Sequence, residues 1–252
     1  MVRVRTKREI DLIAESAQIV ADTLDMLSDR MKSGTSLLEL DMLAEKFIRA
    51  QDAIPAFKGY MGFPATLCIS VNDEVVHGIP SGNMLKDGQI VGIDCGAVKN
   101  GYYGDSARTF AVGSISNEDR ELIETTQEAL YHGIKKAVSG NYVSDIGHAI
   151  QSFVEPKGYS IVRELVGHGI GTNLHEDPQI PNYGDPGMGI LLKEGMCLAI
   201  EPMINRGSRE VYTLDDGWTV KTKDGYNSAH FEHTIVIRED GPEVLSRSKL
   251  NG

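Results

Sequence analysis

Apolar residues recur along this chain at three- and four-residue steps over four segments, which is the spacing of one buried face on an α-helix. The first segment has apolar side chains at Ile10, Ile13, Ala17, Val20, Leu24 and Leu27. The pattern predicts helices over residues 9–30, 37–50, 119–137 and 143–155. Short apolar runs bounded by turn residues predict strands over residues 66–71, 89–98, 102–112, 161–166, 196–205 and 229–237. This grouping favours an α+β fold, with helices on one face of an antiparallel sheet and a site on the other.

The segment GIDCGAVKNGYYGD, residues 92–105, predicts a hairpin that carries two aspartates. Its central Asn-Gly pair is a strong signal for a type I′ turn, which requires a positive φ at both central residues. With that turn, Gly96 pairs with Asp105, and Asp94 lies on the same face because it is two residues from Gly96. The two carboxylates should therefore converge as diagonal neighbours. Such a pair repels unless a proton or a cation lies between its members.

Two parts of the chain resemble each other at a nearly fixed separation. LKDGQIVGID at 85–94 matches LKEGMCLAIE at 192–201 in its Leu, Lys, Gly and Ile and in both acids, 107 residues later. A second pair, residues 31–48 and 137–154, aligns in the same order at nearly the same separation. We interpret these matches as an internal duplication.

The duplication predicts one domain, residues 1–252, with two pseudo-symmetric halves at about 1–113 and 114–252. Asp94 then corresponds to Glu201, and each residue ends an apolar strand segment. The alternative is that the acids are solvated side chains on an exposed face. An acid that recurs at a duplicated position within an apolar strand argues against that alternative.

Composition narrows the classes of function. A chain of 252 residues can bury a sizeable core, and its net charge of −11 argues against a nucleic-acid-binding surface. It contains neither the run of roughly 18–20 apolar residues of a transmembrane helix nor a secretory signal. The three cysteines, Cys68, Cys95 and Cys197, are widely spaced, which fits a reducing compartment better than a disulfide framework. We expect a cytoplasmic protein with no membrane partner.

Further chemically active side chains lie in apolar or glycine-rich surroundings: Glu201 in AIEPMI, Glu232 in SAHFEHTIVI, His168 in VGHGIG, His175 in LHEDPQIPNY and His77 in VVHGIP. Buried carboxylates are rare unless they are paired or bind a metal. Two Asp, two Glu and one His suit two divalent ions such as Mn, Fe or Co better than a structural zinc site made of thiolates. Neither a nucleotide-binding loop nor a G-x-S-x-G nucleophile motif is present.

Some other polar residues have ordinary structural interpretations. His230 shares the strand face of Glu232 and is a candidate for the wall of the site, whereas His233 alternates to the opposite face and is predicted to be structural. Cys95 points away from Asp94 and is predicted to pack in the core. None of the cysteines lies in a Cys/His arrangement that would indicate a nucleophile.

Five segments closely resemble the bacterial type I methionine aminopeptidases: VVHGIP, GIDCGAVKNGYYGDS, VGHGIG with LHEDP, AIEPM and SAHFEHTIVI. They occur in the order of that family, and the match runs over nearly the whole chain. The resemblance implies a single catalytic domain with the pita-bread fold and pseudo-two-fold symmetry. It also implies two divalent metal ions held by Asp94, Asp105, His168, Glu201 and Glu232.

By the same resemblance, His77 and His175 face the scissile amide without binding metal. The residues implied for the methionine pocket are Tyr60, Phe63, Cys68, Leu174 and Trp218. Phe57 and Met61 stand where some relatives carry a Cys and a His, so the chain departs from the family pattern at these pocket edges. Asn72 and Ser228 match positions that are associated with a monovalent cation in relatives.

The implied activity is hydrolytic removal of N-terminal methionine from nascent proteins and peptides with a small second residue. The enzyme is expected to be a cytoplasmic monomer that works near the ribosome. Glu201 would act as the general base, His175 would stabilise the oxyanion, and His77 would assist the leaving amide nitrogen.

Two alternatives share the fold. Xaa-Pro aminopeptidases usually carry an added N-terminal domain, for which 252 residues leave no room. A non-catalytic peptide-binding module is expected to lose metal ligands, whereas all five are present here. The early first helix and the lack of a long insertion in the second half favour the bacterial type I subgroup.

Overall fold

Helices and strands alternate in two similar series in the computed structural model, which describes residues 2–250. The α-helices are α1 Lys7–Ser28, α2 Leu37–Ala50, α3 Asn117–Ile134 and α4 Val143–Val154. The strands of the first series are β1 Ile54–Pro55, β2 Leu67–Val71, β3 Glu74–Val76, β4 Ile90–Lys99 and β5 Tyr102–Ala111. The later strands are β6 Ser160–Ile161, β7 Gly167–Gly169, β8 Glu176–Ile180, β9 Cys197–Ile200, β10 Met203–Asn205, β11 Val211–Thr213, β12 Val220–Thr222, β13 Ser228–His230, β14 His233–Arg238 and β15 Gly241–Val244. Short 3₁₀ turns cover Tyr60–Gly62 and Glu155–Lys157.

The start of α1 is determined by a capping box at Thr6. The Thr6 hydroxyl accepts a hydrogen bond from the Glu9 backbone N–H at 3.4 Å, and the Glu9 carboxylate accepts one from the Thr6 backbone N–H at 2.9 Å. All six apolar residues predicted to face the core from this helix are buried. The predicted helical periodicity is therefore confirmed, with small shifts at the helix ends.

The β4–β5 hairpin has the predicted register. Asn100 and Gly101 have φ values of 53° and 79°, as a type I′ turn requires. Gly96 pairs with Asp105, and Asp94 lies two residues along β4 on the same face. The predicted placement of Asp94 and Asp105 on one face of the hairpin is therefore confirmed.

All strand pairs are antiparallel, as predicted, but the pairing divides into four sheets instead of one continuous sheet. The strand predicted over 196–205 is interrupted at Glu201-Pro202, and the one over 229–237 is interrupted at Phe231-Glu232. Pro202 has no N–H to donate to a ladder. The Glu232 N–H donates to the Ala107 carbonyl on β5, at 2.9 Å. The segment predicted over 161–166 is a strand only at its first residue.

Two large apolar clusters match the two series of elements. One cluster contains buried residues of α1, α2 and β4, and the other contains residues of α3, α4, β9 and β14. A third cluster joins α1 to residues of the second series, such as Leu174 and Val236. In the first series, α1 packs on β4 and β5.

The same backbone hydrogen bonds recur in both series. The N–H of Gly34 donates to the Leu85 carbonyl at 2.8 Å, and 106 to 107 residues later Gly140 donates to Leu192 at 3.0 Å. Isolated antiparallel bridges link Ser36 to Met84 and, at equivalent places, Tyr142 to Leu191. These pairs agree with the repeat read from the sequence.

Within residues 2–250, no helix combines the length and the apolar character that crossing a bilayer requires.

The close packing of α1 on the hairpin gives a first prediction. A Cβ at Gly104 would lie 2.2 Å from the Ala17 backbone nitrogen on α1. We expect Gly104→Ala to lower the free energy of unfolding by about 3 kcal/mol, since the helix must move away. A Cβ at Gly82 would meet no atom within 4 Å, so Gly82→Ala is the control and should change stability by less than about 0.5 kcal/mol. Urea denaturation measures both, and equal stability of the two variants would contradict the packing described.

Candidate metal centre and active site

One cavity of about 200 Å³ brings together every residue that the family resemblance implies for metal binding, catalysis and the methionine pocket. Its lining comprises the five predicted metal ligands, the two predicted amide-facing histidines, the five predicted pocket residues and two more aromatic or apolar side chains: Asp94, Asp105, His168, Glu201, Glu232, His77, His175, Tyr60, Phe63, Cys68, Leu174, Trp218, Phe57 and Met61. Residues from both series of elements meet here, although they are far apart in sequence. The cavity is therefore the candidate active site.

The first two carboxylates project from the hairpin, which is fastened to the second series. The Asp105 backbone N–H donates to the Thr234 hydroxyl at 3.0 Å, and that hydroxyl donates to the Asp105 carbonyl at 2.7 Å. The Ser106 hydroxyl donates to the Glu232 carbonyl at 2.6 Å. These bonds hold Glu232 beside Asp105, at the gap between β13 and β14.

His168 and Glu201 complete the cluster from β7 and from the end of β9. The Nδ1 atom of His168 donates to the Gly169 carbonyl at 3.0 Å, which leaves Nε2 with a free lone pair. This Nε2 lies 3.4 Å from Glu201 Oε1 and 4.0 Å from Asp105 Oδ2. Ligand atoms of Asp105, His168 and Glu232 all lie within 4.8 Å of one another.

The electrostatics of the cluster favour a cation. Burial, together with the nearby Glu232 and Asp94, raises the pKa of Asp105 well above its usual value. Burial and the neighbouring carboxylates likewise raise the pKa of Glu201 and that of Glu232. Burial raises the pKa of Asp94 to about 7. Burial also lowers the pKa of His168 to about 3, so this imidazole is neutral and supplies no positive charge.

Three buried carboxylate atoms have no hydrogen-bond partner among residues 2–250: Asp94 Oδ1, Asp105 Oδ1 and Glu232 Oε1. Buried polar atoms are normally satisfied, and each exception needs an explanation. Oxygen ligands with one neutral imidazole are a donor set that Mn, Fe and Co accept. The residues therefore fit a divalent metal.

The two predicted amide-facing histidines lie beside the cluster. His77 follows β3 with a φ of 60°, a strained value for a non-glycine residue that is common at functional sites. The His175 ring lies 4.3 Å from the His168 ring, between centroids, and its Nδ1 is 2.8 Å from the Tyr60 hydroxyl oxygen. Burial lowers the pKa of His77 and that of His175, which keeps both imidazoles neutral.

Aromatic and apolar side chains form the rest of the wall. Phe63 and Trp218 meet edge to face, with ring centroids 5.1 Å apart. Phe57 is buried and packs against Gly96 of the hairpin. Met61 has a φ of 48° and is 82% exposed, so it lies at the rim of the cavity.

His230 lies beside Glu201 but is not among the residues that line the cavity, so its predicted place in the wall is not confirmed. Its Nε2 is 3.9 Å from Glu201 Oε2 and has no hydrogen-bond partner among residues 2–250. His233 faces the other way, where Nδ1 is 2.9 Å from the Ser246 hydroxyl oxygen, which confirms its structural role. Cys95 is buried in the core, as predicted.

Sequence reasoning missed several supporting residues. The Asn182 amide donates to the Glu201 carbonyl at 3.1 Å, and Thr234 holds Asp105 as described above. Neither residue carries a local pattern that separates it from an ordinary buried polar residue. Only a contact between distant segments reveals its role.

The predicted monovalent-cation residues are neighbours. The Ser228 N–H donates to the Asn72 carbonyl at 2.9 Å, and the Ile90 N–H donates to Asn72 Oδ1 at 3.1 Å. Binding of a cation there stays a prediction.

Comparisons with known proteins identify related peptidases. The family model described as metallopeptidase family M24 matches residues 11–239. The chain is 55% identical over 247 residues to methionine aminopeptidase 1 of Bacillus subtilis, covering 98% of this chain and 100% of that protein. A methionine aminopeptidase crystal structure from Thermotoga maritima superposes with a TM-score of 0.97 at 43% identity, covering 98% and 100% of the two chains. A prolidase from Pyrococcus furiosus superposes with a TM-score of 0.80 at 26% identity, covering 98% of this chain and 66% of the prolidase.

The raised carboxyl pKa values give a prediction on stability. At a pH between the unfolded and the folded pKa, the buried carboxyl groups are protonated in the folded, metal-free protein and ionised in the unfolded chain. The resulting stability is complete below the unfolded pKa of about 4 and is lost as pH rises through the folded pKa, about 7 for Asp94. Between pH 7 and 8.5, above the unfolded pKa of about 6.5 of the buried histidines, the free energy of unfolding should fall by up to about 1.4 kcal/mol per pH unit for each titrating carboxyl. Manganese should raise the melting temperature more at pH 8 than at pH 5.

Thermal unfolding of chelator-treated protein with and without Mn²⁺ measures both effects. Asp105→Asn is the matched control, because it removes one buried charge and should flatten the dependence on pH. A metal-free protein whose stability rises from pH 7 to pH 8.5 would contradict the electrostatic account.

Proposed function

Because the chain belongs to metallopeptidase family M24, we propose that it removes N-terminal methionine from peptides and nascent proteins by metal-dependent hydrolysis. One observation carries the proposal: a single small cavity places a buried carboxylate–imidazole cluster next to an aromatic and thiol-lined pocket. The first feature suits metal-dependent amide hydrolysis, and the second suits an unbranched thioether side chain. The similarity to methionine aminopeptidases over nearly the whole chain supports the proposed removal of N-terminal methionine.

The cluster would hold two divalent ions, of Mn, Fe or Co. We assign Asp94, Asp105, His168, Glu201 and Glu232 as their ligands, on the strength of the orphaned carboxylate oxygens and the free His168 Nε2. When bound, divalent ions supply Lewis acidity, which activates water and polarises the scissile carbonyl. The hydrogen bonds from Thr234, Ser106 and Asn182 to the ligand backbones keep these carboxylates in place.

Glu201 is the proposed general base. Its side chain is 16% exposed, so water can approach it from the cavity, and it lies next to His168. In this role it takes a proton from the attacking water and holds it for the leaving amine.

His175 is proposed to stabilise the charge that develops on the carbonyl oxygen. The Tyr60 hydroxyl can donate to Nδ1 of this neutral imidazole, which places the ring proton on Nε2. A proton on Nε2 can be donated to the oxyanion. His77, whose ring centroid is 6.4 Å from that of Trp218, is proposed to assist the leaving nitrogen.

The pocket explains the choice of substrate. Phe63, Cys68, Leu174 and Trp218 pack around the methionine side chain, while the acids hold its free ammonium group. Because the acids would hold a free α-ammonium group, the reaction is that of an exopeptidase. Crowding by Tyr60 and the two histidines favours a small second residue.

The proposal extends to the cellular setting. The substrates are N-termini of nascent chains, which this enzyme would meet in the cytoplasm near the ribosome. It would act as a monomer. A monovalent cation would bind near Asn72 and Ser228, which a backbone hydrogen bond joins.

The rival proposal is an Xaa-Pro peptidase, which the similarity to the prolidase favours. The apolar pocket and the closer likeness to the methionine aminopeptidases speak for methionine release.

Peptide cleavage distinguishes the two proposals. The protein is stripped with a chelator, reloaded with Mn²⁺, Fe²⁺ or Co²⁺ and offered Met-Ala-Ser, Met-Leu-Ser and Ala-Pro-Ala. We expect release of methionine from Met-Ala-Ser only after metal is restored, and much slower release from Met-Leu-Ser. Cleavage of Ala-Pro-Ala alone would overturn the assignment in favour of the rival.

Single substitutions test the residue roles. We expect Glu201→Ala to lower kcat by about 10²–10⁴-fold and His175→Ala by about 10²–10³-fold. Tyr60→Phe removes only the hydroxyl that orients His175 and should have a smaller effect. Metal content is measured for each variant, and full activity of Glu201→Ala with metal still bound would exclude it as the base.

A further inference from the structure

A buried ion pair joins the N-terminal segment to the segment that carries His175. The side chains of Arg5 and Glu176 are 3% and 10% exposed, and Arg5 Nη2 donates to Glu176 Oε2. Arg5 precedes α1, whereas Glu176 begins β8, directly after His175. The pair lies outside the lining of the cavity.

Glu176 also organises the loop before it, residues 170–175, which we call the His175 loop. Its Oε1 accepts hydrogen bonds from the Thr172 N–H at 2.9 Å, the Thr172 hydroxyl at 3.1 Å and the Asn173 N–H at 3.0 Å. One carboxylate therefore binds two successive backbone amides of the loop with one oxygen and Arg5 with the other. Charge-assisted bonds of this kind are about twice as strong as neutral ones.

The guanidinium group lies against the same loop. A Cβ at Gly171 would be 2.1 Å from Arg5 Nη2, so the glycine leaves the space that this group occupies. The Arg5 backbone N–H donates to the Gly195 carbonyl at 2.8 Å, which anchors the arginine to the segment before β9. The Gly171 carbonyl in turn accepts from Tyr103 N–H of the hairpin at 2.8 Å. The loop is thus held from both sides.

We infer that the Arg5–Glu176 pair positions His175 for the reaction by fixing the His175 loop against the N-terminal segment and the hairpin. Arg5 is a positioning residue and touches no reacting atom. Without the guanidinium, the Glu176 carboxylate loses the partner that holds it against the His175 loop. The His175 ring is then no longer kept with its centroid 4.3 Å from that of the His168 ring. This inference rests on the role proposed for His175.

A purely structural role makes a different prediction. Arg5 also lies 3.5 Å from Glu9, in the capping box of α1, so its loss could weaken that helix. A weaker helix would lower stability without any special link to His175. A double substitution with His175 separates the two explanations, because a residue that acts only through His175 has no further effect once that imidazole is gone.

The experiment measures kcat and KM for Met-Ala-Ser cleavage by the metal-loaded protein, with melting temperatures in parallel. The variants are Arg5→Gln, Glu176→Gln, His175→Ala and the double variant Arg5→Gln/His175→Ala. Lys7→Gln is the charge control, since it breaks an exposed pair with Asp11 near the same helix start. Ile150→Val is the stability control, since it trims a buried side chain of the second-series cluster away from the cavity.

Arg5→Gln and Glu176→Gln should each lower kcat about tenfold or more, with a smaller change in KM. In the His175→Ala background, Arg5→Gln should change kcat less than twofold. Lys7→Gln and Ile150→Val should keep the wild-type kcat even where the melting temperature falls. Using both members of the pair keeps the test decisive if one variant does not fold.

Cleavage of Met-Ala-Ser by the wild-type protein, together with slow cleavage by His175→Ala, tests the proposed function independently of the Arg5–Glu176 pair. The inference on the pair is then overturned if Arg5→Gln and Glu176→Gln keep the wild-type kcat. It is equally overturned if Arg5→Gln lowers kcat by the same factor with and without His175.

Discussion

The repulsion among four carboxyl groups at one buried point is the constraint on which the rest of this structure depends. One cavity brings together Asp94, Asp105, Glu201 and Glu232. The histidines that line this cavity are neutral, and three of the carboxylate oxygens have no hydrogen-bond partner among residues 2–250. Such a group is costly to fold unless protons or a cation compensate the charge. A fold that keeps these four acids together must hold the backbone of each one in place. It must also leave the carboxylate oxygens that point into the cavity free.

The scaffold meets this requirement with backbone bonds. The ladder is interrupted at Glu201-Pro202 and at Phe231-Glu232, where the chain turns a carboxylate into the cavity. Side chains from other segments hold the freed backbone: Asn182 binds the carbonyl of Glu201, and Ser106 binds that of Glu232. Division of the pairing into four sheets is thus linked to the site, because a continuous ladder would have used these backbone groups itself.

The sequence predicted features with a local cause. The Asn-Gly turn determined the hairpin register and hence the convergence of Asp94 with Asp105, and helical periodicity identified the buried face of α1. Resemblance to a known family supplied the remaining ligands and the pocket, and the cavity contains all of them. The strand breaks, the Tyr60–His175 bond and the Arg5–Glu176 pair were not predicted. The two side-chain contacts depend on segments that meet only in the folded chain, which neither periodicity nor turn chemistry encodes, whereas Pro202 was a local signal for the first strand break.

Calorimetric titration of the metal-free protein with Mn²⁺ at pH 7, in two buffers with different ionisation heats, tests the central claim most directly. The account predicts binding that releases protons, because burial raises the pKa of Asp94 to about 7 and those of the other three acids above their usual values. Asp105→Asn should weaken the binding and reduce the proton release. Binding heats that are the same in both buffers and unaffected by Asp105→Asn would contradict the account, since the metal would then not occupy the carboxylate cluster.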